Sequence, residues 1–88
     1  MSSLVQLPSQ SELTTAMLEI LSNAPDGLHV EEIEKAVAKK LALTDAQKNL
    51  MHKGNRTMLG YKLAWARSSA RKTGLIDSVK HSVWKIAR

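Results

Sequence analysis

The segment from residue 54 to residue 75 carries the strongest constraint on the fold, because its apolar residues recur with the period of an α-helix. At about 100° per residue, four side chains spaced i, i+4, i+7 and i+11 fall on one narrow stripe. They are Leu59, Leu63, Ala66 and Ala70. Asn55 suits the capping position, and Gly74 suits the left-handed residue that commonly ends a helix. The pattern predicts one long helix that begins at Gly54 and Asn55 and buries a single face.

Two further helices are predicted in the first half of the chain. Ser9 and Glu12 fit the S-x-x-E form of a capping box, and apolar residues keep helical spacing behind it. The second helix follows the short apolar run 28–30, and its core stripe comprises Ile33, Ala36, Val37 and Leu41. His29, a polar residue just before that helix, is interpreted as a cap or an edge residue.

The remaining segments predict a short helix and a β-hairpin. Thr44 and Gln47 fit a second capping box, which predicts a short helix through about Met51, followed by a loop over residues 52–54. Two β-prone runs, 75–79 and 83–88, flank the polar residues 80–82 and predict a hairpin with a basic tip. Trp84 is assigned to the core face of this hairpin. The order of elements predicts a mainly α fold with a small β-hairpin, a winged helix-turn-helix.

Charge is distributed unevenly along the chain. Residues 1–51 hold four Lys/Arg and seven Asp/Glu, a net charge of −3, whereas residues 52–88 hold nine Lys/Arg and one acid, a net charge of +8. Together they give the formal net charge of +5. A basic C-terminal half next to an acidic N-terminal half points to a polyanionic partner, with nucleic acid as the preferred class.

Composition bounds the remaining classes. The chain of 88 residues fits one small domain, and we expect a flexible leader over residues 1–8 and the domain over residues 9–88. It has no cysteine for disulfides or thiolate metal sites, no apolar run long enough for a membrane span, and no signal-peptide pattern. We therefore expect no membrane partner and a cytoplasmic, nucleoid-associated protein.

Catalytic chemistry is not expected within this chain. The three histidines lack the spacing of metal ligands, and Asp77, the single acid of the C-terminal half, falls in the predicted hairpin. Ser68 and Ser69 have no plausible histidine base nearby, and no glycine-rich phosphate loop exists. We expect neither a catalytic residue, nor a metal site, nor a cofactor.

Several runs resemble the N-terminal domain of Mrr-type restriction endonucleases. The most specific part is the succession L-A-W-A-R (63–67), R-K-T-G-L-I (71–76) and V-W-K-I (83–86). The resemblance covers roughly residues 8–88 and departs from the family pattern at Val79 and Ser82, where Pro and Gly are usual. It implies a winged-helix DNA-binding module, joined in that family to a separate nuclease domain that attacks modified DNA.

The predicted function is binding of double-stranded DNA, by the recognition domain of a restriction-type protein or by a small stand-alone protein. The N-terminal part of a recognition helix points into the groove, which makes Asn55, Arg56, Thr57 and Tyr61 candidates for base contact. The candidates for contact with the phosphate backbone are Lys53, Arg67, Arg71, Lys72, Lys80 and His81. Ser68 is a further candidate for contact with DNA. Trp65 is predicted to pack against the wing or another helix.

Two alternatives stay open at this point. The first is a protein-interaction winged helix that acts as an adaptor or a homodimerisation module, marked by an exposed apolar patch around Met58, Trp65 and Val79. The second is RNA binding, which the scarcity of aromatic residues disfavours. A nuclease domain, covalently linked or separate, is a further expected partner.

Overall fold

The computed structural model describes residues 6–54 and 56–87, apart from the side chains of residues 52 and 53. This part of the chain forms a mainly helical, winged-helix-like fold, as the order of elements predicted. Its helices are α1 (Gln10–Ser22), α2 (Val30–Lys40), α3 (Asp45–Lys48) and α4 (Met58–Lys72). Its strands are β1 (Leu28–His29), β2 (Met51–Lys53), β3 (Arg56–Thr57), β4 (Ile76–Lys80) and β5 (Val83–Ile86).

The wing is a three-stranded antiparallel sheet in the order β1-β5-β4. Leu28 pairs with Trp84 and His29 with Val83, so the short strand before α2 completes the sheet. On the other side of β5, Ile76 pairs with Ile86. This arrangement connects the C-terminal hairpin directly to the start of α2.

The core lies between α1, α2, α4 and the sheet. The four residues of the predicted α4 stripe are all buried, with at most 2% of their surface exposed. In α2, Ile33 and Val37 are buried as predicted, whereas Ala36 is only partly buried and Ala38 is buried in addition. Trp84 is partly buried and packs against the core cluster, which agrees with its predicted place.

The capping boxes form as the sequence predicted. Ser9 and Glu12 exchange side-chain to backbone hydrogen bonds at the start of α1, and Thr44 and Gln47 do so at the start of α3. His29 caps α2 in the same way. These local contacts satisfy backbone N–H groups that have no partner within their helix.

The start of α4 differs from the prediction. The helix begins at Met58 and its cap is Thr57, whose Oγ1 accepts a hydrogen bond from the N–H of Gly60 at 3.1 Å. The predicted start at Gly54 and Asn55 is wrong because the chain pairs with itself there. Met51 pairs with Thr57 in the small β2–β3 hairpin, and Gly54 lies in its turn. Asn55 lies outside the described residues.

The segment before α4 is corrected for the same reason. The short helix ends at Lys48 instead of Met51, because Met51 belongs to β2, and the predicted loop over residues 52–54 is partly strand. At the other end of α4, Gly74 has the expected left-handed backbone with φ of 78°. The wing turn is shorter than predicted and comprises His81 and Ser82, with Ser82 also left-handed at φ of 63°.

The residues before α1 take part in packing where they are described. The carbonyl oxygen of Gln6 accepts a hydrogen bond from Nε2 of Gln47 at 2.8 Å, and Leu7 packs against the core. Residues 1–5, which make up most of the predicted leader, lie outside the described residues. The boundary of the domain at residue 9 stays a prediction.

Candidate nucleic-acid interface

The outer face of α4 forms because its inner face is committed to the core. With Leu59 and Leu63 directed inward, the helical period turns Ala64 and Ser68 outward. Both side chains are short, so this face of α4 is low between its larger neighbours.

At the N-terminal end of this face lies an open depression of about 200 Å³. It is lined by Arg56, Tyr61, Ala64, Trp65 and Ser68. The structure thus brings together three residues predicted to contact DNA, and it places a cation beside two aromatic rings. Arg56 reaches this depression from β3 rather than from the helix.

At the C-terminal end, a larger groove of about 460 Å³ runs between α4 and the wing. It is lined by Ala64, Arg67, Ser68, Arg71, Lys72 and Trp84. Because Ala64 and Ser68 also line the first depression, the two form one continuous surface. We call it the α4 groove, and none of the described residues that line its larger part is acidic.

The electrostatics of the α4 groove centre on Arg67. Its pKa is lowered, mainly by burial and further by the positive charge of Arg56, whereas the carboxylate of Glu34 raises it. Arg67 stays protonated at neutral pH because the ordinary pKa of arginine is far higher. Arg67 therefore carries a positive charge that is partly shielded from water and is influenced by one like and one opposite charge.

Arg71 is placed by an aromatic ring. Its guanidinium carbon lies 5.7 Å from the centroid of Trp84, which is a cation–π distance. Arg71 comes from the last turn of α4 and Trp84 from β5, so this contact joins the two elements that form the walls of the groove. Trp84 was predicted only as a core residue, and no local sequence pattern links it to Arg71, because the two residues lie in different elements.

Trp65 was predicted to pack against the wing or another helix, but it is one of the exposed large apolar residues. Its side chain is 57% exposed, and its ring meets that of Tyr61 edge to face with centroids 6.5 Å apart. Both rings belong to α4. Trp65 therefore belongs to the surface of the helix and lines the same depression as Arg56.

The other predicted contact residues are distributed as follows. Lys80 and His81 are exposed at the end of the wing, as expected for residues at a basic tip. Thr57 is used structurally, because its hydroxyl caps α4 and lies 3.5 Å from Glu34 Oε2. Lys53 lies in β2, but its side chain, like the whole of Asn55, lies outside the described residues.

Two searches of the described part of the chain gave negative results. No group of three or more His, Cys, Asp or Glu side chains there is able to hold a metal ion. No helix described here is both long enough and apolar enough to cross a membrane.

Comparison with known proteins and protein families identifies the family of this chain. No curated protein and no solved structure matches the chain. The family model described as the Mrr N-terminal domain matches residues 11–88. This range includes α1 except its first residue, the whole of α2, α3 and α4, and the complete wing. The chain therefore belongs to the Mrr N-terminal domain family.

Proposed function

We propose that this chain is a module that binds double-stranded DNA, with α4 in the major groove and the wing against the neighbouring backbone. The observation that carries the proposal is the α4 groove, in which Arg67, Arg71 and Lys72 line one surface between α4 and the wing. Helices that read DNA in this way present small and basic residues to the duplex. The net charge of +8 over residues 52–88 supports the same partner.

Different residues of this surface are suited to different contacts. Arg56 and Tyr61 line the depression at the N-terminal end of α4 and are proposed, with Asn55, to contact base edges. Lys80 and His81 at the wing, together with Lys53, are proposed to contact phosphates, which fix the position of the protein without specifying sequence. Thr57 is proposed to act on this surface only through the cap of α4.

The family context suggests the setting of this module. We propose that it serves as the recognition domain of a restriction-type protein that targets modified DNA, with a linked or separate nuclease domain as partner, or that it acts alone. In either case the chain itself binds DNA and does not cleave it, at a cytoplasmic, nucleoid-associated location.

A salt series of duplex-binding measurements by fluorescence anisotropy tests the proposal. Each neutralised phosphate contributes about −0.9 to the slope of log K against log salt concentration, so about four to six contacts predict a slope near −4 to −5. Lys80→Ala should weaken binding to all duplexes and flatten the slope by about one. Arg71→Ala should do the same from the helix side.

Glu31→Gln is the matched control for these variants. Glu31 is exposed on α2, and its substitution changes the net charge by one, as Lys80→Ala does in the opposite sense. If only net charge mattered, Glu31→Gln and Lys80→Ala would change the slope of log K against log salt concentration to a similar degree. Wild-type binding by both the Lys80 and the Arg71 variants would contradict docking through α4 and the wing.

One observation favours a second candidate, a protein-interaction module. Several large apolar side chains are about half exposed, including Met51 at 49%, Trp65 at 57% and Val79 at 47%. In the expected patch, Met58 is only partly exposed. Self-association through such residues predicts a homodimer whose population falls on Trp65→Ala or Val79→Ser, which light scattering coupled to size exclusion would measure.

A further inference from the structure

The contact between Arg71 and Trp84 has a consequence for how the α4 groove binds its ligand. The backbone of Trp84 is fixed in the sheet, where it pairs with Leu28 and with Ser78, and its side chain packs against the core. The fold therefore sets the position of its ring at one wall of the groove. A side chain that rests on it loses mobility before any ligand arrives.

Arg71 is the side chain that packs over the Trp84 ring. A guanidinium that packs on a ring through its face keeps its N–H donors at its edge, where they match the oxygen atoms of a phosphate. Arg71 is exposed, and the ion pairs found among the described residues join Lys40 to Glu19 and Lys48 to Asp45. Neither ion pair competes for Arg71, so its donors are available to an anion.

The neighbours of Arg71 complete a set of donors. Arg67 and Lys72 contribute two more cations to the same groove, and Ser68 contributes a hydroxyl. Arg67 is partly shielded from water, which strengthens its attraction for a negative charge. The short side chain of Ala64 leaves room for a bulky backbone to lie between α4 and β5.

We infer that Trp84 is a positioning residue, which holds Arg71 so that Arg67, Ser68, Arg71 and Lys72 together bind one phosphodiester of the duplex backbone. The inference rests on the proposed function, because it assigns one phosphate of bound DNA to a defined place between α4 and the wing. It also gives Trp84, an uncharged residue of β5, an effect on DNA affinity that its place in the core does not predict.

A double-mutant cycle tests this role, with duplex affinity measured by fluorescence anisotropy. Arg71→Ala should weaken binding by about tenfold and flatten the salt slope by about 0.9, the effect of one lost phosphate contact. Trp84→Leu removes no charge, yet it should weaken binding to a similar degree, because Arg71 is no longer held. In the Arg71→Ala background, Trp84→Leu should change the affinity by less than about twofold.

Trp84→Phe is a second variant that keeps the test usable if Trp84→Leu does not fold. Phenylalanine keeps an aromatic face that binds a cation less strongly than tryptophan does, so the variant should retain affinity to within about threefold of the wild type. This smaller loss should also disappear in the Arg71→Ala background. Thermal melting of every variant identifies those that are folded, and the cycle is evaluated on those alone.

The matched control pairs Trp84 with Lys80, a charged wing residue that lies beside the wing turn and pairs with Val83. Because Lys80 does not line the groove, effects of Trp84→Phe and Lys80→Ala should multiply. The positioning role would be overturned if the effects of the Trp84 and Arg71 substitutions on affinity also multiplied. It would likewise be overturned if a folded Trp84→Leu variant bound the duplex with wild-type affinity. Absence of duplex binding by the unaltered protein would instead overturn the proposed function.

Discussion

The Nδ1 atom of His29 accepts a hydrogen bond from the backbone N–H of Glu31 at 3.1 Å, and the carboxylate of Glu32 accepts one from the N–H of His29 at 3.0 Å. The imidazole thus takes the capping position at the start of α2, which serine or asparagine more often occupies. His29 was predicted to be a cap or an edge residue, and this contact confirms the first of the two.

His29→Ala should lower the free energy of unfolding by about 1 kcal/mol, the typical cost of a lost cap. His29→Asn keeps a side-chain acceptor at the same position and should lose less than half of that. Urea unfolding measures both. Equal losses in the two variants would show that the cap is not the source of the effect.

Gly27→Ala should be among the most destabilising small substitutions in the chain. Gly27 has a left-handed backbone with φ of 90°, and an added Cβ would lie 2.9 Å from the carbonyl oxygen of Trp84. Backbone strain of about 1–2 kcal/mol is then joined by a steric clash with β5. Gly74→Ala is the matched control, since Gly74 is also left-handed but an added Cβ there would meet no atom within 4 Å. Similar melting temperatures for the two variants would contradict the close approach at Gly27.

The two tryptophans should differ in their contribution to stability. Trp84→Ala removes a ring that packs against the core and should cost about 2–4 kcal/mol, a large part of the stability of a small domain. Trp65→Ala removes a ring that is 57% exposed and should cost less than about 1 kcal/mol. Urea midpoints compare them directly, and the reverse order would contradict the packing described for β5 and α4.

Substitutions in the depression at the start of α4 should change specificity. Arg56→Ala and Tyr61→Phe remove polar groups from a surface proposed to face base edges, so they should narrow the difference in affinity between preferred and random duplexes. A competition experiment with a selected and a random duplex measures that ratio. Lys80→Ala serves as the control, because loss of a phosphate contact weakens both duplexes equally. An unchanged ratio in both the Arg56 and the Tyr61 variants would remove them from the proposed reading surface.

The chain should not cleave DNA. Metal-dependent nucleases hold their ion with clustered carboxylates, whereas Asp77 is the one acid among residues 52–88. Supercoiled plasmid incubated with Mg²⁺ or Mn²⁺ should therefore stay intact on a gel. Cleavage that co-elutes with the protein through repeated purification and disappears with EDTA would contradict this prediction.

The helices were predictable where their signals are local. The stripe that contains Leu59 and Leu63 and the box formed by Ser9 and Glu12 each lie within one helix, so neighbouring residues determine them. The start of α4 was missed because Asn55 suits a helix cap and a turn equally well. The Gly54-Asn55 pair between two short runs is also a hairpin signal. The backbone N–H of Met58 donates a hydrogen bond to the carbonyl oxygen of Leu50 at 2.7 Å. This contact across the hairpin favours the turn over an earlier start of the helix.

The candidate interface was predictable only in part. The helical period placed Tyr61 and Ser68 on the outer face of α4, and the structure agrees. Trp65 lies well away from the core stripe in the helical period, and its exposure was missed because a large aromatic side chain is more often packed against another element. The contact of Arg71 with Trp84 depends on how β5 lies against α4, which only tertiary packing determines.

The carbonyl oxygen of Ser82 accepts a hydrogen bond from the backbone N–H of Val30 at 2.9 Å, so the wing turn is fastened to the first residue of α2. A wing that became ordered only on contact with DNA would lose conformational entropy at that moment, at a cost of about 1–2 kcal/mol for each residue fixed. Because of this hydrogen bond, much of the ordering of the wing takes place when the domain folds. The spacing between Lys80 and the α4 groove is then set in advance. Under the proposed function, a duplex that is bent or widened differently would have to adapt to the protein.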